Sequence, residues 1–128
     1  MDTEGIELDP RVERLVKVMN DIPGVYTFSS CGGHEAPAKD QVPRDQFNIG
    51  FDLEWTSHGF RALSLIQFAI QKTSAGLGGN MKVTTWADPG DVYNPGALHF
   101  ELNGQLFADP NELADTLTAL LREYGGRP

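Results

Sequence analysis

The segment FSSCGGHEAP, residues 28–37, holds the most reactive side chains of this sequence. Cys31 is the only cysteine, and His34 follows it three positions later with Gly32 and Gly33 between them. A thiolate is a nucleophile, and a nearby histidine can stabilise it or take the thiol proton. Glycine admits close approach of the backbone, whose N–H groups can hold a developing anion. The pattern predicts a catalytic pair, Cys31 and His34.

The same segment predicts a ligand-binding turn. Side chains and backbone N–H groups at the end of a strand can face a ligand together where glycine permits the geometry. A second histidine, in a later predicted strand, is a further candidate. The candidate ligand-binding residues are Ser29, Ser30, Gly32, Gly33 and His99.

A metal site is another interpretation of these residues. Cys31 and His34 have C-x-x-H spacing, and the chain has only two other histidines. Zinc in proteins is bound tetrahedrally by cysteine and histidine, so one cysteine and three histidines are enough to complete a site. The candidate zinc ligands are Cys31, His34, His58 and His99, if the fold brings the last two to the turn.

The alternative to a functional site is that the segment around Cys31 has only a structural role. Gly32 and Gly33 can simply turn the chain, and free cysteine is among the most buried residue types. In that case Cys31 fills a small apolar space and His34 is solvated.

The residues SSCGGH, at positions 29–34, resemble the Ser-Ser-Cys-x-Gly-Arg segment of the wybutosine-synthesis methyltransferase family. That family methylates a modified tRNA guanosine, so the resemblance implies S-adenosylmethionine as cofactor. This chain has His34 where the family has arginine, which removes a bidentate cation. The segment is also similar to that of short uncharacterised bacterial and phage proteins with an SSCxGH-like turn.

Polar and aromatic residues outside this segment give weaker indications. Asp52 and Glu54 share one face of a predicted strand, as do His99 and Glu101 of another. A meeting of His99 with Asp52 depends on the strand register. Three further aromatic residues are Trp55, Trp86 and Tyr93. One interpretation places them in a rim around the polar face, and the alternative is that they pack in the core or at the edge of the sheet.

These side chains must be positioned by seven predicted elements. Asp9-Pro10 and a run of apolar residues at helical spacing predict a helix over about 10–21, stopped by Pro23 and Gly24. Alternation and β-branched or aromatic content predict four strands, and apolar stripes predict two more helices. The strands are predicted at 25–31, 46–53, 81–87 and 97–103, with a turn-rich connection at 88–96. One helix is predicted at about 58–74 and another from Pro110 to 124, where Asp109 is the predicted N-cap. The first is expected to be well buried, because it has an apolar stripe that contains Phe60, Leu63, Ile66, Ile70 and Phe68.

The order αββαββα predicts an α+β fold, a two-layer sandwich with a mainly antiparallel four-stranded sheet and the helices on one face. Ferredoxin-like connectivity, in permuted form, is one arrangement that satisfies it. A strand–helix–strand unit over 46–87 can also form one parallel crossover. At 128 residues the chain has the size of a single domain, 1–128.

The composition restricts the partners. Eighteen acidic against ten basic residues give a formal charge of −8, which repels phosphate backbones and disfavours tRNA or any general nucleic-acid partner. The acidic N-terminus has neither a basic nor an apolar targeting region, and no apolar run is long enough to span a bilayer, so we expect a cytoplasmic protein with a reduced thiol. The sequence favours a small-molecule or protein binding module, with self-association of the sheet into a homo-oligomer. The alternative is an enzyme or metal-binding protein that uses Cys31 and His34.

Overall fold

The computed structural model describes residues 10–32, 46–73, 80–90, 95–105 and 108–124. These residues form three helices and four strands in the predicted order αββαββα, which confirms the α+β class. The helices are α1 (Glu13–Asn20), α2 (Ser57–Thr73) and α3 (Pro110–Tyr124). The strands are β1 (Val25–Cys31), β2 (Phe47–Leu53), β3 (Met81–Gly90) and β4 (Pro95–Gly104).

The four strands form one sheet with the order β1-β2-β4-β3, and every neighbouring pair is antiparallel. Strands β2 and β3 therefore run parallel, but β4 lies between them. The β2-α2-β3 segment is thus a split βαβ unit, the element on which ferredoxin-like sheets are built. Strand β1 precedes this unit and pairs with β2 at one edge, which is the arrangement expected of a permuted ferredoxin-like order.

Alternation along β2 separates the two faces of the sheet, although Gly50 on the polar side is also buried. Phe47, Ile49 and Phe51 are fully buried, whereas Asn48 and Asp52 are only partly buried. Residues opposite each other in a ladder share a face, so the register carries this division across the sheet. The face that contains Asn48 and Asp52 is called the open face below.

The helices cover the other face and enclose one core. Helix α3 contacts both α1 and α2, and α2 contacts β2 and β3. The Thr73 hydroxyl donates to that of Thr116, 2.7 Å away, and joins α2 to α3. The described elements therefore form one domain. The largest fully buried side chains include Leu15 and Met19 of α1, Ile66 of α2, Leu102 of β4, and Leu113 and Leu117 of α3.

Three elements have a boundary that differs from the prediction by more than one residue. Helix α1 begins at Glu13, because Val12, at φ −110° and ψ 0°, is not helical; Asp9 lies outside the described residues. Strands β3 and β4 extend into the predicted turn, pairing as far as Gly90 with Pro95. Pro89 lies in an edge strand, where every second N–H points away from the sheet and a proline can be accommodated without loss of a ladder bond.

Helix α2 is turned further than its largest apolar residues suggested. Its buried stripe consists mainly of small residues, which allow close approach to the sheet. The buried residues of α2 are Gly59, Ala62, Ile66, Ala69, Ile70 and Thr73. Phe60 and Phe68 are consequently exposed, and the prediction that both help to bury this helix is wrong.

A half-buried arginine braces the end of the sheet beside Cys31. Nη1 of Arg11 donates to the carbonyl oxygens of Gly32, at 2.7 Å, and Gln46, at 3.1 Å. Its Nη2 lies 3.4 Å from the carbonyl oxygen of Ala108, just before α3.

The side chain of Asp109 accepts a 2.9 Å hydrogen bond from the N–H of Asn111, so the predicted cap of α3 is confirmed.

Candidate ligand-binding site

Aromatic side chains are concentrated on the open face of the sheet. Phe28 of β1 is 41% exposed and Trp86 of β3 is 43% exposed, although both are large apolar groups. Single exposed apolar residues are common on protein surfaces, whereas exposed apolar residues that contact each other are typical of binding sites. These two rings are in contact, at a centroid separation of 6.2 Å.

A β-bulge directs Phe28 over the middle of the sheet. The register of β1 against β2 shifts between Thr27 and Ser29, so that Ser29 pairs with Gly50 and Phe28 is the extra residue. A Cβ atom at Gly50 would lie 2.5 Å from Oγ of Ser29 and 2.7 Å from Cε1 of Phe28. Phe28 therefore occupies the space that a side chain at position 50 would take, and glycine is required there for the ring to cross β2.

Strands β2 and β4 bring together an aspartate and a histidine. Oδ1 of Asp52 lies 2.6 Å from Nδ1 of His99. An ionised carboxylate can only accept hydrogen bonds, so Nδ1 carries a hydrogen and donates a hydrogen bond to Oδ1 of Asp52. In the neutral ring, Nε2 then holds the lone pair. The aspartate thus fixes both the orientation of the imidazole and its tautomer.

The ring of His99 completes a corner with the two aromatic rings. Its centroid lies 5.6 Å from that of Phe28, with an interplanar angle of 70°, and 5.2 Å from that of Trp86, with an angle of 38°. Phe28 also stands at 72° to Trp86. Phe28 therefore forms a wall that is nearly perpendicular to the surface made by the other two rings.

The corner borders an open depression with a volume of about 410 Å³. This size is within the range of small-molecule sites, roughly 300–1,000 Å³. Two carboxylates and no lysine or arginine are found among the described residues that line it. We call it the aromatic depression; its lining residues are Phe28, Asp52, Trp86, Ala87, Asp88, Pro89 and His99.

The structure places the predicted ligand-binding residues in different parts of the sheet. His99 lies in the aromatic depression, and Ser29 is beside the bulge that orients Phe28. Ser30 pairs with Ile49 and so belongs to the core-facing side, while Gly32 follows β1 and is held by Arg11. Gly33 lies outside the described residues.

Cys31 is on the open face but away from the depression. It is a half-buried free thiol opposite Asn48, which is four residues from Asp52 along β2. At roughly 3.3 Å per residue this separation is about 13 Å along the strand. His34 lies outside the described residues, so its relation to Cys31 stays a prediction.

The predicted zinc ligands that the structure describes are not brought together. His58 is exposed in the first turn of α2, whereas Cys31 and His99 lie at opposite ends of the open face. Within the described ranges, no group of three or more histidine, cysteine or acidic residues could hold a metal ion. A site that includes His34 is not tested by these residues.

The aromatic residues of the predicted rim separate in the same way. Trp86 lines the depression, Trp55 is 71% exposed elsewhere, and Tyr93 lies outside the described residues. Phe28, which is not part of the predicted rim, lines the depression beside Trp86. It belongs to the segment that contains Cys31, and its outward position follows from alternation after Val25, but its neighbours depend on the strand order.

No protein-family model matches the chain, and the comparisons with curated proteins and with solved structures found no match either. None of the helices in the described part of the chain is both long and apolar enough to cross a membrane. The function must therefore be argued from the geometry of the site itself.

Proposed function

We propose that this protein is a binding module that takes a small molecule in the aromatic depression. The observation that carries the proposal is the corner formed by Phe28, Trp86 and His99 over a concave part of the open face. Small-molecule sites are concave, rich in aromatic surface and supplied with a few placed polar groups. Here Asp52 and His99 are those polar groups.

The support for this proposal lies in how the corner is held. The bulge and Gly50 position Phe28, and Asp52 fixes the imidazole of His99. Trp86 pairs directly with His99 in the β3–β4 ladder. Each ring is thus attached to a strand of the sheet, so the site is preformed. Little of the free energy of binding is then spent on ordering these side chains.

Catalysis or metal binding by Cys31 and His34 stays a separate prediction, as do a cytoplasmic location and self-association. The depression does not contain Cys31. A ligand in the depression would therefore bind without the thiol, and the two proposals can be distinguished by experiment.

The test uses the fluorescence of Trp86. The chain has two tryptophans, and Trp55→Phe removes the one that does not line the depression. This variant is screened against a library that contains cationic, neutral and anionic small molecules. We expect at least one compound to give a saturable change, and we expect Phe28→Ala to abolish it.

Three results would reject the proposal. One is a complete library without a saturable change in Trp86 emission. Another is a compound that binds equally well after Phe28→Ala, since the corner would then be unnecessary. Fluorescence that changes with protein concentration alone would instead indicate self-association through the open face, and would also reject it.

A further inference from the structure

We infer that the ligand of the aromatic depression is a planar aromatic molecule with a hydroxyl or similar polar group on its edge. This inference rests on the proposed function and specifies its ligand. It follows from two features of the site, namely the angles between the rings and the ring nitrogen of His99 that does not contact Asp52.

The angles between the rings suit a flat aromatic molecule. Aromatic rings prefer offset-stacked or edge-to-face contacts. Phe28 stands at 72° to Trp86 and at 70° to His99, whereas Trp86 and His99 are inclined to each other by only 38°. A flat ring stacked on Trp86 is therefore nearly perpendicular to Phe28. One ligand ring thus makes both preferred contacts at once, and a saturated ring, which lacks a π system, makes neither.

The exposure of the rings agrees with a flat ligand. Phe28 and Trp86 are 41% and 43% exposed, so both have surface left for a ligand after they contact each other. An open depression covers one side of its ligand. A flat molecule places the largest share of its atoms against that side, and dispersion attraction grows with the number of contacting atoms.

The second ring nitrogen of His99 indicates a polar group on the ligand. Nδ1 is hydrogen-bonded to Asp52, and Nε2 has no hydrogen-bond partner among the described residues. Nε2 accepts a hydrogen bond in the neutral imidazole with this tautomer and donates one in the protonated imidazole. A hydroxyl group can do either, so it is complementary to His99 in both protonation states.

The experiment compares phenol with cyclohexanol in the Trp55→Phe background. The two molecules have the same ring size and the same hydroxyl group, but only phenol is planar and aromatic. Titrations follow the indole N–H resonance of Trp86 on isotope-labelled protein. We expect phenol to bind at least about fivefold more tightly than cyclohexanol, because each of the two aromatic contacts contributes at least about twofold.

A matched pair of variants tests whether the aromatic preference arises in the depression. Phe28→Leu replaces the wall of the corner with an aliphatic side chain, and Phe60→Leu makes the same change on the exposed side of α2. We expect only Phe28→Leu to reduce the preference for phenol, by at least about twofold. Equal effects of the two variants would overturn the inference.

The polar group is tested with toluene, which has a methyl group in place of the hydroxyl. His99→Phe keeps an aromatic ring at this position and removes Nε2. We expect this variant to weaken the binding of phenol relative to that of toluene by at least about twofold, the size of a single net hydrogen bond. A general disturbance of the site would weaken both molecules alike, and that result would overturn the role of the polar group.

The remaining outcomes separate this inference from the function on which it rests. If cyclohexanol binds as tightly as phenol, the aromatic ligand is wrong and the binding module stands. If neither molecule shifts the Trp86 resonance, the aromatic ligand is likewise wrong, and the library screen decides separately whether another class of molecule occupies the depression.

Discussion

Asp52 on β2 and His99 on β4 face each other on the open side of the sheet, with Oδ1 of the first 2.6 Å from Nδ1 of the second. The side chains are 43% and 23% exposed, respectively. This hydrogen bond joins the two inner strands of the sheet. It holds the imidazole in the corner against Phe28 and Trp86.

The energetic coupling of this pair can be measured by a double-mutant cycle. We expect Asp52→Ala and His99→Ala to be coupled by about 0.5–1 kcal/mol, because both groups are partly solvated and exposed pairs contribute little. His99→Ala should cost more than Asp52→Ala, since it also removes two ring contacts. Urea denaturation of the four proteins measures the coupling, and a value near zero would contradict a stabilising contribution of the pair.

The role of Gly50 can be separated from general crowding by comparison with Gly104. A Cβ at Gly50 would meet the exposed ring of Phe28, whereas one at Gly104 would meet the fully buried ring of Phe47. We expect Gly104→Ala to destabilise the fold by about 1–3 kcal/mol through overpacking. Gly50→Ala should cost less, because Phe28 can swing into solvent, yet it should change Trp86 emission and abolish binding in the depression.

The result that would contradict this prediction is specific. If Gly50→Ala leaves the emission of Trp86 and the binding of a ligand unchanged, Phe28 does not cross β2 as described. Unfolding curves and fluorescence spectra of the two variants provide both readouts.

Arg11 should stabilise the fold more than its position near the N-terminus suggests. Its guanidinium donates to the carbonyl oxygens of Gly32 and Gln46, and charge-assisted hydrogen bonds contribute more than neutral ones. We expect Arg11→Ala to lower the free energy of unfolding by about 2–3 kcal/mol. Arg11→Lys should recover only part of this, because an ammonium group lacks the planar fork.

The control is Arg14→Ala. Arg14 forms an ion pair with Asp115 between α1 and α3, but both side chains are mostly exposed. We expect a change of at most about 1 kcal/mol in urea denaturation, as is usual for exposed pairs. Equal losses for Arg11→Ala and Arg14→Ala would mean that Arg11 does not brace the sheet.

Replacement of the thiol tests which candidate site binds the ligand. Cys31 is opposite Asn48, in a different part of the open face from Asp52 and His99. We therefore expect Cys31→Ser to change the dissociation constant of a ligand in the depression by less than about twofold, since well-separated sites act independently. Loss of binding in this variant would place the functional site at the Cys31 segment instead.

Much of the fold follows from local patterns in the sequence. Alternation in β2 fixes which of its side chains are buried, and the Asp109 cap marks the start of α3. The exposure of Phe60 and Phe68 was not evident, because the hydrophobic effect favours burial of large rings whereas close packing on the sheet favoured Gly59 and Ala62. Which stripe of an apolar helix faces the core is a property of the tertiary packing.

The candidate site was less accessible to sequence reasoning. The sequence showed that Asp52 and His99 each point to a polar face, but their meeting depends on β2 and β4 being neighbours. The bulge after Thr27 was also hidden, and it decides that Cys31 pairs with Asn48 and lies on the open face. A one-residue shift of this kind reverses the face of every later residue in a strand.

The most direct test of the aromatic depression is amide chemical-shift mapping on isotope-labelled protein with a compound from the fluorescence screen. We expect the largest changes at Phe28, Asp52, Trp86 and His99, which come from four different strands but line one surface. Changes concentrated in α2 around Phe60 and Phe68, or around Cys31 with the depression unaffected, would contradict it. In that case the ligand would bind elsewhere, and the aromatic corner would have only a structural role.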